Sequence, residues 1–272
     1  MRLEAIAKLV RYYILTCTTT AGSGHPTSSL SATDLMVGLM FNQFRFNYDR
    51  LIFSKGHAAP LLYSLYTTAG LVSVKELMTL RKFGSPIEGH PRPNFPYAEV
   101  ASGSLGQGLS VGLGMALNAK YLDKKDYLTY VLMGDSEMAE GSVWEAIQLA
   151  SHYHLDNLIG IIDVNRLGQS NPTMLQWDTE TYAARLQSFG WQTQIINGHD
   201  FTQIQKALAL AGKNKNKPLM IIAKTVKGKG VSFLENKPGW HGKALNPDQL
   251  KLALKELGPI NLKLKCSIKK AN

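Results

Sequence analysis

Two short apolar runs organise the pattern of this chain. Residues 127–133 (YLTYVLM) stop at Gly134 and Asp135, and residues 157–163 (NLIGIID) stop at Val164 and Asn165. Each run has the length and the β-branched, aromatic and aliphatic content of a buried strand. Between them, residues 140–153 carry apolar positions at helical spacing, so the unit reads strand, loop, helix, strand, loop. A connection that holds a helix implies parallel pairing, and neighbouring parallel strands end at the same edge of the sheet. Asp135 and Asn165 are therefore expected to face one crevice, where open α/β sheets bind ligands.

The flanking segments repeat the alternation. Helical spacing covers residues 3–17, and a small-residue loop at 18–24 follows. Ser31 with Asp34 resembles a capping box, which predicts a helix from there to Phe41. Residues 50–53 predict a strand that delivers the loop Ser54-Lys-Gly-His57. Helices are predicted over 58–69 and, opened by Ser73 with Glu76, through Arg81. Residues 84–102 contain Pro86, Pro91, Pro93 and Pro96 and predict an irregular segment, a kind more often functional than not in a compact domain. Helices at 105–121, 179–189, 201–211 and 247–257, strands at 192–196 and 219–223, and a second irregular segment at 226–246 complete the pattern. The fold class is α/β, a parallel sheet with helices on both faces.

Size and charge refine this. At 272 residues and 44% hydrophobic, the chain suffices for one large domain with a complete core, placed at 1–257, with a basic tail at 258–272. The net charge of +10 permits an acidic or phosphorylated partner, and much of the surplus is late, from Lys213 to Lys229 and from Lys263 to Lys270. No aromatic-interleaved basic motif or nucleic-acid reader module occurs, so nucleic acid is not an expected partner. Cys17 and Cys266 form neither a CxxC pair nor a disulfide framework, which points to a reducing, cytoplasmic setting. Glu4, Lys8 and Arg11 interrupt the N-terminal apolar pattern, so it reads as neither a secretory signal nor a membrane span.

The crevice carries the chemistry. A carboxylate, an amide oxygen and nearby carbonyls are hard donors suited to Mg2+ or Ca2+ rather than zinc, and Mg2+ held by so few groups completes its shell with phosphate oxygens and water. Five of the seven histidines, His25, His57, His90, His199 and His241, directly adjoin a glycine. Gly108-Leu-Ser-Val-Gly112 fits the nucleophile-elbow pattern, but Ser110 falls inside a predicted helix. No Walker A sequence or dinucleotide fingerprint occurs, so hydrolase and nicotinamide readings drop out.

Asp135 with Asn165, thirty residues apart at neighbouring strand ends, resembles the thiamine-diphosphate signature. The longer stretches Ser23-Gly-His-Pro-Thr-Ser28, Ser54-Lys-Gly-His-Ala-Ala-Pro60, Gly103-Ser-Leu-Gly-Gln-Gly108, Glu140-Gly-Ser-Val-Trp-Glu145, Asp163-Val-Asn-Arg-Leu-Gly-Gln-Ser170 and Trp240-His-Gly-Lys243 resemble transketolases in the family's order. The resemblance covers residues 21 to 245 and implies the diphosphate-binding domain of the thiamine-diphosphate-binding fold. It implies metal ligands at Asp135, Asn165 and the carbonyl of Leu167. It implies cofactor contacts at Ser28, Lys55, His57, Gly103, Ser104, Leu105, Lys227 and His241, with Lys55 at the substrate or diphosphate end. His25, His57, His90 and His241 would surround the thiazolium carbon and the substrate hydroxyls, moving protons as hydroxyls become carbonyls. His152, His154 and His199 stay structural in this reading. Glu140 and Glu145 match acidic residues that the family buries between its two active sites, with an exposed helix face shared with Glu137 as the competing reading. Ser136 stands where the family has glycine beside the diphosphate, and its Cβ is harmless only if its φ is negative.

The implied activity is transfer of a two-carbon glycolaldehyde unit from a ketose phosphate to an aldose phosphate. The family's glutamate on the aminopyrimidine nitrogen belongs to a pyrimidine-binding domain, for which this sequence offers no candidate. The expectation is an N-terminal subunit that needs a separate C-terminal partner, within a heterotetramer containing a homodimer contact. Other thiamine-diphosphate enzymes, such as a 2-oxo acid dehydrogenase subunit or a deoxyxylulose phosphate synthase fragment, remain alternatives, as does a non-catalytic module that keeps the fold.

Overall fold

The computed structural model describes residues 3–271, so Met1, Arg2 and Asn272, counted above with the expected domain and tail, lie outside it. The chain runs through α1 (Leu3–Ala21), α2 (Pro26–Gly38), β1 (Arg45–Phe46), β2 (Arg50–Phe53), α3 (Ala59–Thr68) and α4 (Val74–Leu77). After a long irregular stretch come α5 (Gln107–Leu117), β3 (Thr129–Gly134), α6 (Gly141–His152), β4 (Leu158–Val164) and α7 (Thr179–Ser188). β5 (Gln192–Asn197), α8 (Phe201–Leu208), β6 (Leu219–Lys224), α9 (Pro247–Leu257) and β7 (Lys269–Lys270) follow.

A parallel five-stranded sheet in the order β2-β3-β4-β6-β5 forms the centre, with Gly134 of β3 level with Asp163 of β4. Every residue of β3 and β4 is buried, as expected where helices cover both faces. Side chains leave alternate faces of each strand and feed two separate cores. Tyr130, Leu132, Ile159, Ile161, Leu219 and Ile221 pack with α1, α2, α3 and α8. Val131, Met133, Leu158, Ile162, Met220 and Ile222 pack with α5, α6 and α7. Among the described residues no helix is long and apolar enough to cross a membrane.

Several expected boundaries are corrected. α1 runs four residues further, to Ala21, and α2 begins at Pro26 rather than Ser31. Pro26 in the first turn suits a helix start, while Ser31 and Asp34 lie mid-helix and bond distant partners instead of capping. The helix opened by Ser73 does accept Glu76 N–H on the Ser73 hydroxyl, but it stops at Leu77 rather than Arg81. Arg81 has φ +60 and its N–H bonds the Ile87 carbonyl, which turns the chain. α5 starts at Gln107, behind Gly106 with φ +81, and widens into a π-helical turn over Asn118–Asp123. Beyond Leu257 the basic tail lies back on the domain: Ile268 is buried in the first core, and Lys269–Lys270 pair in parallel with Arg45–Phe46.

Candidate active site

Parallel pairing brings the ends of β2, β3, β4 and β6 to one edge, so Lys55, Asp135, Asn165 and Lys227 arrive from four connections. α2 contributes from above. His25 at its N-cap and Ser28 one turn on border the cavity, Ser31 reaches Asp163 beneath it, and the three-residue steps carry Asp34 round to another side of the helix.

The floor of the site is an ion pair between Lys55 and Asp163, whose side chains are 2% and 0% exposed. Lys55 Nζ also donates to the Ser28 carbonyl at 3.1 Å and to Ser31 Oγ at 3.2 Å. Asp163 accepts hydroxyls from Ser31 at 2.5 Å and from Thr225. Burial raises the Asp163 carboxyl, but Lys55 and the hydroxyls bring it below the usual range. Lys55 is therefore committed to Asp163 rather than free for a ligand, although its side chain borders the cavity. The sequence reading passed over Asp163, yet a carboxylate at the end of the otherwise apolar run LIGIID signals a buried, paired charge.

Glu137 was also missed as a site residue and corrects the exposed-face reading, because it is buried. Its Oε1 accepts Ser54 Oγ at 2.5 Å and Gly106 N–H at 2.9 Å, and its Oε2 accepts Gly134 N–H at 2.8 Å. One carboxylate thus fastens the loops after β2 and β3 to the start of α5. Burial pushes this carboxyl up. Gly56 packs against the stretch that contains Gly103, where an added Cβ would stand 2.8 Å from the Gly103 nitrogen.

These loops enclose a cavity of about 410 Å3. Its lining includes His25, Ser28, Lys55, His57, His90, Gly103, Leu105, Asp135, Ser136, Asn165, Leu167, Lys227 and His241. Of the candidate residues, Ser104, Glu140 and Glu145 do not line it. Glu140 is half-buried at the start of α6, and Glu145 is exposed on that helix. Four histidines from four separate loops converge: the His25 ring centroid lies 5.2 Å from His57, 4.9 Å from His241 and 6.2 Å from His90. Burial, reinforced by neighbouring positive groups, pushes His25 down to about 3 and His241 down to about 4, with His57 and His90 also lowered. All four are neutral imidazoles at pH 7.

Asp135 and Asn165 are 4% and 2% exposed. Asp135 Oδ2 accepts Arg166 N–H at 2.7 Å and Thr173 Oγ1 at 3.0 Å, and Asn165 Oδ1 accepts Leu167 N–H at 3.2 Å. Burial and then nearby Asp163 push Asp135 up to about 6, as expected for a buried carboxylate without its own cation. Among the described residues no group of three or more His, Cys, Asp or Glu side chains is placed to hold a metal. The donors here are one carboxylate, one amide and one carbonyl, an oxygen-only set that fits a hard divalent cation. Lys227 Nζ donates to the Leu167 and Gly168 carbonyls at 2.9 and 3.0 Å and to His241 Nδ1 at 3.2 Å, and burial with Lys55 nearby pushes it down to about 8. Ser28 Oγ and His25 Nδ1 are buried without a partner among the described residues, as suits groups that meet an anionic, polar ligand. Ser136 sits in a short 3-10 turn, Asp135–Ala139, with φ outside the left-handed region.

A parallel sheet that gathers lysines, neutral histidines and hard oxygen donors at the carboxyl ends of its strands defines an α/β cofactor-binding domain. Residues 3–267 match the model of the transketolase thiamine diphosphate binding domain. The chain belongs to that family. It is 45% identical over 263 residues to the transketolase of Homo sapiens, covering 94% of this chain and 42% of that protein. One subunit of the apulose-4-phosphate transketolase of Phocaeicola vulgatus is 39% identical over 245 residues, covering 87% of each chain. The structure of transketolase from Leishmania mexicana superposes with a TM-score of 0.90 at 30% identity, over 96% of this chain and 42% of that one. The chain thus spans less than half the length of the mammalian relative.

Proposed function

We propose that this chain is the diphosphate-binding part of a transketolase, transferring a glycolaldehyde unit between sugar phosphates together with a polypeptide that carries the pyrimidine-binding domain. The observation that carries this reading is the single cavity shared by four neutral histidines, Lys227 and the Asp135–Asn165 pair. The Phocaeicola vulgatus relative, which is named as one subunit of its enzyme and is matched over 87% of its length, supports a two-chain arrangement. The comparisons favour this reading over the 2-oxo acid dehydrogenase and deoxyxylulose phosphate synthase alternatives.

Asp135, Asn165 and the Leu167 carbonyl would hold Mg2+, or Ca2+, against the diphosphate. Ser28 Oγ, free to donate, and the Lys227 ammonium would hold the phosphate oxygens. Gly103, with φ +146, keeps main chain close enough to lie along a flat ring, and His90 already packs against that glycine. When bound, thiamine diphosphate supplies the nucleophilic carbon and electron sink for breaking and forming a bond beside a ketose carbonyl. His25, His57, His90 and His241, uncharged at pH 7, can accept a proton at a ring nitrogen from a sugar hydroxyl that becomes a carbonyl as its carbon–carbon bond breaks, and return it to the acceptor's carbonyl oxygen as the new carbon–carbon bond forms. Glu145 and Leu149, one turn apart on α6 and both exposed, provide a face for the homodimer contact of a heterotetramer. A cytoplasmic setting belongs to the same proposal.

Calorimetric titration tests it. Thiamine diphosphate with Mg2+ should bind this chain, and bind it more tightly once a pyrimidine-domain partner is added. Absence of binding in both samples would refute the proposal and favour a non-catalytic module.

A further inference from the structure

The loop that carries Lys227 is gripped from behind by a cluster outside the cavity's lining. Arg11 on α1 clasps Asp34 on α2 with two bonds, Nη1 to Oδ1 at 2.8 Å and Nη2 to Oδ2 at 2.7 Å. Asp34 Oδ2 also meets His199 Nδ1 at 2.8 Å. The far nitrogen of His199, Nε2, lies 2.9 Å from the Val226 amide. A backbone N–H only donates, so Nε2 is the acceptor, and Nδ1 carries the proton that bonds Asp34. Arg11 Nε closes the circuit by donating to the Lys229 carbonyl at 3.1 Å.

The two grips fall on either side of Lys227, one residue before it and two after. Between them Gly228, with φ +82, donates its N–H to the Thr27 carbonyl of α2 at 3.0 Å. Arg11 and Asp34 are both buried. Burial alone raises Asp34, yet Arg11 and His199 hold it down at about 2, so it stays charged. α2 therefore presents Ser28 to the cavity and Asp34 to this clamp, which ties the diphosphate loop to the helix that bears the other phosphate-facing group.

We propose that His199, oriented by Asp34 and Arg11, is a positioning residue that sets where the Lys227 ammonium stands at the diphosphate end of the cavity. This rests on the functional reading above. The clamp itself is a separate matter from what the cavity binds, and two measurements on the full chain keep them apart.

Amide exchange over residues 226–229, without ligand, reads the clamp. Affinity for thiamine diphosphate in the presence of Mg2+, with the pyrimidine-domain partner present, reads its consequence. In H199A and in H199N, whose shorter amide can reach Asp34 but not the Val226 amide, exchange at 226–229 should quicken while β3 and β4 stay protected. Affinity should fall by about tenfold, the scale of one lost hydrogen bond. H199Q, whose Oε1 can stand where Nε2 stood, should restore both readings to within about threefold. In a K227M background, H199A should weaken binding by less than about threefold more, because the two positions act through one contact. Unchanged exchange in H199A, or effects of H199A and K227M that simply multiply, would overturn the proposal. A wild-type chain that binds no thiamine diphosphate would sink the functional reading, and the exchange data would then decide the clamp by themselves.

Discussion

Replacing Lys55 by methionine strips the cation from a carboxylate that has no exposed surface. Removing one partner of a buried pair costs about 3–5 kcal/mol, because the remaining charge is left desolvated. Asp163 would keep the Ser31 and Thr225 hydroxyls as donors, so K55M should fall near the lower end of that range. For a chain of this size a loss of about 3 kcal/mol lowers Tm by about 5 °C. Urea unfolding followed by circular dichroism, on K55M, D163N and the double variant, measures the effect and its coupling. The double variant removes both charges together, so it should be more stable than the sum of the single losses predicts, by about 1.5 kcal/mol or more. A K55M loss below about 1 kcal/mol, or strict additivity, would refute the view of Lys55 as the keystone of the floor. Unchanged stability with weakened cofactor binding would instead return it to the phosphate-binding role that the sequence suggests.

Three further outcomes follow from the same geometry. G56A places a Cβ 2.8 Å from the Gly103 nitrogen and 2.9 Å from the Ser102 carbonyl carbon, both backbone. It should cost about 1–3 kcal/mol in urea unfolding and weaken cofactor binding. S136G should leave cofactor affinity within about threefold, because the serine needs no left-handed φ, and calorimetry with thiamine diphosphate and Mg2+ checks this. His25 and His241 have folded values of about 3 and about 4 against an ordinary 6.5. Between those limits the unfolded chain binds protons that the folded chain refuses, so their contribution is full above pH 6.5 and declines as pH falls toward 4. Urea midpoints measured from pH 7.5 to pH 5 should fall, and less steeply in H25Q/H241Q.

The central strands were legible because residues 129–134 and 158–164 are buried on both faces, which leaves a nearly continuous apolar run in sequence. The crevice followed from the parallel pairing that such runs imply. The start of α2 was not legible, because Ser31 and Asp34 have the spacing of a cap while their side chains serve Asp163 and Arg11. Local pattern cannot distinguish a serine that caps from one that reaches another element. The same holds for Glu137, which bonds Gly134 three residues back but owes its burial to Ser54 and Gly106, both distant in the chain. The pairing of β1 with β7 joins two-residue strands more than two hundred positions apart, too short for any periodicity. The four histidines belong together in sequence only through the family resemblance, whereas the structure brings their rings together from loops on four different connections. His199 reads as structural in sequence, because its neighbours Asp34 and Val226 are brought to it only by folding.

The most direct test of the proposed function is the rate of ketol transfer from a ketose phosphate to an aldose phosphate, with thiamine diphosphate and Mg2+ present. It should be measured on this chain alone and on the chain mixed with a C-terminal transketolase partner that carries the pyrimidine-binding domain. Negligible transfer alone and enzymatic turnover in the mixture are the expected results. Turnover by the purified chain without a partner, or none in any mixture that binds the cofactor, would contradict a transketolase whose site is shared between two chains.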